Sequence, residues 1–217
     1  VMFNLHGGGF LLGKKEEGHL FCAEMSRKGF LVFSLEYPLA PETLFPQIIK
    51  DLMTGMGNTW SSIESYDGDR THIYMTGTSA GASLCIYLAA MLESPELAEA
   101  FHVIPAELKI RAMGLVSGMY YTTKPDSIGL FLPSYVYGKQ WKKSSFYPYI
   151  NPENEAILQH LPPSFLVTAY GDMLRNYSRQ YAEAMKRCGV ICHLEDFDTG
   201  KKLPHAFSTT FPEMPES

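Results

Sequence analysis

Ser79 lies in the run Gly77-Thr78-Ser79-Ala80-Gly81, with an apolar-rich stretch on each side. Residues 71–76 read as a short buried strand and residues 80–93 as a helix. A serine on so tight a strand-to-helix turn has a strained backbone and a presented hydroxyl. Gly77 and Gly81 let strand and helix approach where a side chain would clash. The chemistry this implies is nucleophilic attack by Ser79 on an acyl carbon. The bare five-residue pattern also occurs as an ordinary small-residue turn, and only the strand-turn-helix context gives it chemical meaning.

The chain opens Val1-Met2-Phe3-Asn4-Leu5-His6-Gly7-Gly8-Gly9-Phe10, an apolar strand running straight into His-Gly-Gly-Gly. Consecutive glycines leave backbone N–H groups unshielded and admit positive φ. Such a loop can aim those groups at the oxyanion that develops during acyl transfer. The N–H of Ala80, next to the nucleophile, supplies a further donor. The competing reading is a plain glycine turn.

A base and an acid complete the set. Of seven histidines, His72 and His193 fall in expected strands. His19, His102 and His160 sit in helix or loop contexts with no motif around them. His205, in Leu203-Pro204-His205-Ala206-Phe207, follows the last expected strand, where the base of a Ser…Asp…His chain order belongs. Asp172 is the leading acid. It follows the strand expected at 164–170, and parallel sheets carry functional side chains at the C-terminal ends of strands. Asp172 also reads as a helix N-cap. Asp196 and Asp198 are rivals, closer to His205 in sequence but within the preceding strand.

The elements that must position these residues alternate. Strands are expected near 1–5, 30–37, 71–76, 110–117, 164–170 and 190–197. Helices are expected near 17–28, 45–63, 80–93 and 174–188, with a short one over Pro95–Ala100. This alternation implies an α/β fold, a mostly parallel sheet with helices on both faces. Between Ser117 and Ser164 the connection is far longer than a βα link requires. It is rich in rings: Tyr120, Tyr121, Phe131, Tyr135, Tyr137, Trp141, Phe146, Tyr147 and Tyr149. Either this lid-like insertion, about 118–163, covers Ser79 and shapes the acyl or alcohol pocket, or its rings only pack it onto the sheet.

With these motifs in place, the chain resembles an α/β-hydrolase of the hormone-sensitive-lipase-like esterase family. The resemblance rests on His6-Gly7-Gly8-Gly9-Phe10, Gly77-Thr78-Ser79-Ala80-Gly81, Asp172-Met173-Leu174-Arg175 and Pro204-His205-Ala206-Phe207. Tyr37-Pro38-Leu39-Ala40-Pro41-Glu42, followed by Phe45-Pro46, is similar to a further family segment. The resemblance implies an oxyanion hole from the N–H groups of Gly8, Gly9 and Ala80. His6 would be structural, bracing the glycine loop, with Gly7, Gly77 and Gly81 shaping the backbone around it. It implies hydrolysis of carboxylic esters through an acyl-enzyme on Ser79, with His205 and Asp172, and with neither cofactor nor metal. Short- to medium-chain acyl esters are the leading substrates. A carbohydrate deacetylase or feruloyl-type esterase would use the same machinery, and a non-catalytic binding protein is the remaining alternative. Pro38, Met173 and Asn176 depart from the family pattern at positions that do not carry the bond-breaking chemistry.

Family members have a strand pair and a helical cap ahead of the glycine loop, and a closing helix after the histidine. This chain starts at the strand leading into the loop and stops soon after His205, so a single catalytic domain over 1–217 lacking those parts is expected.

Composition agrees with one globular domain. Its 217 residues are 46% hydrophobic and carry a net charge of −5, with no basic stripe to meet nucleic-acid phosphates. No stretch is long enough to span a bilayer. Cys22, Cys85, Cys188 and Cys192 show neither CxxC nor zinc spacing. Reduced thiols in the cytoplasm are the expectation, with a small-molecule ester as the partner.

Overall fold

Six apolar segments become strands: β1 (Met2–Leu5), β2 (Val32–Leu35), β3 (Ile73–Thr78), β4 (Ile110–Val116), β5 (Ser164–Ala169) and β6 (Cys192–Phe197). In a computed structural model, which describes residues 1–216, they form one sheet in the order β2-β1-β3-β4-β5-β6. Every neighbouring pair is parallel. The strand expected over 30–37 contracts to four residues. β1 offers only Met2 to Leu5 as partners, so pairing runs from Val32 to Leu35.

The helices are α1 (His19–Arg27), α2 (Phe45–Ser62), α3 (Ala80–Glu93), α4 (Pro95–Ala100), α5 (Ser127–Val136), α6 (Glu155–Leu158), α7 (Arg175–Arg187) and α8 (Phe207–Thr210). α3 is buried from Ala80 to Met91. A helix apolar on all sides belongs in the centre of a core, and α3 packs against β1, β3 and β4 on one side and α2, α4 and α6 on the other. α1 and α8 touch each other away from that group. Right-handed crossovers explain the division. The chain steps from β1 outward to β2 through α1, then reverses to β3 through α2, so the two helices fall on opposite faces. No helix among the described residues is long and apolar enough to cross a membrane.

The reversal makes the boundary between β1 and β3 a topological switch point. The loops leaving these adjacent strands diverge there and open a crevice at their C-terminal ends. The glycine loop leaves β1 and the Ser79 turn leaves β3, so the fold itself brings the two motifs together.

The insertion at 118–163 holds α5, α6 and short 3-10 turns at Trp141–Lys143 and Tyr147–Tyr149. Several of its rings serve packing. Tyr120 stacks on Tyr181 of α7 with centroids 4.3 Å apart. Tyr137 meets Phe45 edge-on at 5.4 Å, and Phe146 lies against Phe101. The Tyr87 hydroxyl of α3 donates to the carbonyls of Tyr149 (2.8 Å) and Ile150 (3.1 Å), tying the insertion down.

Candidate active site

Ser79 occupies the corner between β3 and α3 at φ 55°, ψ −114°. A non-glycine residue rarely adopts that backbone, and it persists only where its surroundings over-determine it. Here they do. Ser79 N–H donates to the Val116 carbonyl at 2.8 Å, and its own carbonyl accepts from Met119 N–H (3.0 Å) and Ala82 N–H (3.1 Å). The end of β4 thus clamps the turn. A Cβ on Gly81 would come within 2.2 Å of the Leu5 carbonyl oxygen, and one on Gly77 within 2.4 Å of the Gly81 oxygen. Any side chain at either position would drive the helix off the strands.

The glycine loop passes directly beside this turn. A Cβ on Gly7 would lie 3.2 Å from the Ser79 Cβ. Gly8 takes φ 105° and Gly9 φ 64°, and the loop closes on itself through Leu12 N–H to the Gly8 carbonyl at 2.9 Å. The N–H groups of Gly8, Gly9 and Ala80 donate to no backbone carbonyl among the described residues. Three uncommitted donors beside one hydroxyl are suited to a developing oxyanion.

Three residues brace the loop. His6, 3% exposed, places Nδ1 2.8 Å from the Gly7 carbonyl and Nε2 3.1 Å from Glu36 Oε1. Its ring stacks on Tyr37 at 4.1 Å and 6°, and the Tyr37 hydroxyl donates to the His6 carbonyl at 2.9 Å. Ala40 N–H donates to the Phe10 carbonyl at 2.8 Å. The Tyr37–Glu42 segment therefore acts as a strap under the loop. Burial, with the charge of Glu36 beside it, holds the Tyr37 phenol far above its ordinary range, so it stays a neutral donor.

Asp172 follows β5 with its side chain 1% exposed. His205 Nδ1 donates to Asp172 Oδ1 at 2.8 Å. A carboxylate only accepts, so in the neutral ring Nδ1 carries the proton and Nε2 is left bare. Asp172 is not the N-cap of α7, a position that falls to Leu174, although its Oδ1 does accept from Leu174 N–H at 2.8 Å in the turn leading into the helix. Oδ2 accepts from Thr168 Oγ1 at 3.3 Å. Burial alone pushes the Asp172 carboxyl up, but hydrogen bonds from His205, Ser117 and Leu174 outweigh it and leave the carboxyl below its usual range. Asp196 and Asp198 are engaged elsewhere. Arg175 pairs with Asp196 (2.7 Å) and Asp198 (3.0 Å), and Arg179 pairs with Asp196 (2.8 Å).

Ser79, His205 and the glycine loop line one cavity of about 330 Å³, together with Glu17, Phe21 and Thr209. None of the nine rings of the insertion lines it. The structure therefore brings Ser79, Asp172, His205, Gly8, Gly9 and Ala80 to one end of the sheet, with His6, Gly7, Gly77 and Gly81 behind them. Glu36, Ser117 and Thr209 join the site without any motif to announce them. Tyr37 is signalled in the sequence only as part of a family-like segment.

Comparison with known proteins agrees with this architecture. A family profile described as the alpha/beta hydrolase fold matches residues 2–209. Carboxylesterase NlhH of Mycobacterium tuberculosis is 29% identical over 208 residues, covering 92% of this chain and 64% of that protein. Putative alpha/beta hydrolase R526 of Acanthamoeba polyphaga mimivirus is 28% identical over 200 residues, covering 88% of this chain and 56% of its own length. The chain thus spans less than two thirds of either relative. Among solved structures, esterase B from Lactobacillus rhamnosis, inhibited by a C4-C4 tributyrin phosphonate, superposes with a TM-score of 0.91 at 22% identity, covering 100% of this chain and 70% of that one.

Proposed function

The chain belongs to the alpha/beta hydrolase fold family, and on that premise we propose that it is a serine carboxylesterase acting on short- to medium-chain acyl esters. The observation that carries the reading is the His205–Asp172 hydrogen bond at 2.8 Å, made by a histidine that lines the same cavity as a strained Ser79. The names of the relatives point the same way, NlhH being a carboxylesterase.

Nε2 of His205 takes the proton of Ser79 as Oγ attacks the ester carbonyl, and Asp172 holds the ring in the required tautomer and stabilises its charged form. The free N–H groups of Gly8, Gly9 and Ala80 receive the oxyanion, where losing one donor costs about 10²–10³ in rate. His205 then protonates the leaving alkoxide. Water, activated by the same ring, cleaves the acyl-enzyme and releases the acid. The chemistry requires no cofactor.

The test is hydrolysis of p-nitrophenyl esters from acetyl to dodecanoyl, with Ser79→Ala in parallel. Turnover with a short- or medium-chain optimum that disappears in the variant supports the reading. Turnover that survives Ser79→Ala removes it.

A further inference from the structure

Ala206, the neighbour of His205, has left-handed backbone (φ 59°, ψ 30°) and is 3% exposed. Both of its backbone polar groups are met by hydroxyls, one from Ser117 just past β4 and one from Thr209 in α8, the helix that Ala206 caps. Its N–H donates to Ser117 Oγ at 3.1 Å. Its carbonyl accepts from Thr209 Oγ1 at 3.2 Å, besides the N–H groups of Thr209 (3.1 Å) and Thr210 (3.0 Å). Thr209 Oγ1 in turn accepts from Thr78 Oγ1 at 3.0 Å, and Thr78 is the residue immediately before the nucleophile.

Ser117 is equally constrained. It is 1% exposed, stands just past β4 at φ 50°, and is fixed by its own N–H to the Val167 carbonyl at 2.8 Å. Its hydroxyl also lies near enough to the Asp172 carboxyl to help hold that group below its usual range. Two hydroxyl contacts therefore converge on Ala206: its N–H donates to Ser117 Oγ, and its carbonyl ends the donor chain from Thr78 through Thr209. One comes from a hydroxyl that acts on the acid and the other starts beside the nucleophile. They meet on the residue that aims His205.

We propose that Ser117 and Thr209 are positioning residues, with Thr78 as the anchor of the second, and that these paired hydroxyl struts hold His205 in register between Ser79 and Asp172. The proposal rests on the serine-esterase reading. It also gives the Thr of Gly-Thr-Ser-Ala-Gly a task that attack on the ester does not. A left-handed, non-glycine Ala206 is costly on its own and needs such over-determination. The competing account is purely apolar: Leu203, Ala206 and Phe207 bury against Val116 and Val167, and that packing alone would place the loop.

The two accounts separate on variants that remove a hydroxyl and leave the packing. Thr209→Val keeps the shape of the side chain. Ser117→Gly keeps the positive φ without strain. Thr209→Ser restores the hydroxyl. We expect kcat to fall about tenfold to a hundredfold in Thr209→Val and Ser117→Gly, the scale of a misplaced catalytic group. KM should hold, so that kcat/KM falls equally, and Thr209→Ser should recover most of the loss.

A second readout needs no turnover. In protein labelled with ¹⁵N-histidine, the downfield Nδ1–H resonance of His205 should be sharp in the wild type and in Thr209→Ser. It should be broadened by solvent exchange in Thr209→Val and Ser117→Gly. If one of these two variants fails to fold, the other carries the test. An unchanged resonance in both, with kcat also unchanged where turnover is measurable, overturns the proposal. A wild-type protein with the sharp resonance but no Ser79-dependent hydrolysis overturns the esterase reading instead, and the resonance still decides whether the struts position His205.

Discussion

The two turns at the switch point and the insertion at 118–163 are built on different principles. At the turns the backbone makes the structure. Gly77 and Gly81 sit where a Cβ would strike main-chain atoms, and Ser79 is held in a strained conformation by bonds from β4 and the loop after it. In the insertion, side chains do most of the holding, through stacked and edge-on rings and hydroxyls such as that of Tyr87 on α3, with a main-chain close approach only where a Cβ on Gly129 would meet the Lys124 carbonyl oxygen. A backbone contact admits one residue type. Ring packing admits many, because hydrophobic volume can be redistributed among neighbours. Tolerance to substitution should therefore change sharply across a short distance.

Gly81→Ala should break the turn outright. Its new methyl would meet the Leu5 and His6 carbonyl oxygens at 2.2 and 2.5 Å. The expected outcome is loss of the cooperative melting transition by circular dichroism. A folded Gly81→Ala protein with wild-type stability would erase the contrast between the regions.

Asp172→Asn comes next. It should leave the fold in place and lower kcat by about 10⁴, the scale seen when the wrong histidine tautomer is imposed in a triad. Near-normal turnover would remove Asp172 from the acid role, although Asp196 and Asp198 are already committed to Arg175 and Arg179.

The same residue gives a pH prediction with a definite sign. Hydrogen bonds hold its carboxyl below the ordinary range despite burial. Its stabilising contribution is therefore complete above the unfolded aspartate value of about 3.9 and is lost as pH falls through the depressed folded value. Thermal melts should show the wild type losing its advantage over Asp172→Asn only in that acid window. An advantage that instead declines toward neutral pH would contradict the hydrogen-bonded picture.

Much smaller effects are expected in the insertion. Tyr87→Phe removes the donor to two carbonyls and should cost about 1 kcal/mol, seen as a Tm drop of roughly 2–4 °C, with kcat within about twofold of wild type. Phe131, 70% exposed on α5, should accept serine with a stability change within about 0.5 kcal/mol. A large loss of activity in either variant would mean that the insertion shares in the chemistry and that the contrast is overdrawn.

The same contrast explains how far the fold and the site are legible in the sequence. β1, β3 and α3 are legible because apolar runs bounded by glycines admit few alternatives, and α3 starts at Ala80 as the turn motif requires. The short α4 is legible from Ser94 and Pro95, and Ser94 does accept from Leu97 N–H. α5 is hidden because Gly129 and Pro133 lie inside it, both unfavourable in a helix interior. Its one local signal is Asp126, which caps it through the N–H groups of Ile128 and Gly129. Ser79, Asp172 and His205 stand out by motif and chain order. Ser117 and Thr209 do not, because a single hydroxyl has no spacing pattern and its partners come from distant parts of the chain.

The most direct test of the central claim, that this geometry makes Ser79 an acyl-transfer nucleophile, is covalent trapping. The protein would be treated with a short-chain p-nitrophenyl phosphonate, digested, and mapped by mass spectrometry. One adduct on Ser79, with labelling much slowed in His205→Ala, is the predicted result. Folded protein that remains unlabelled, or that carries the phosphonate on another residue, would contradict it.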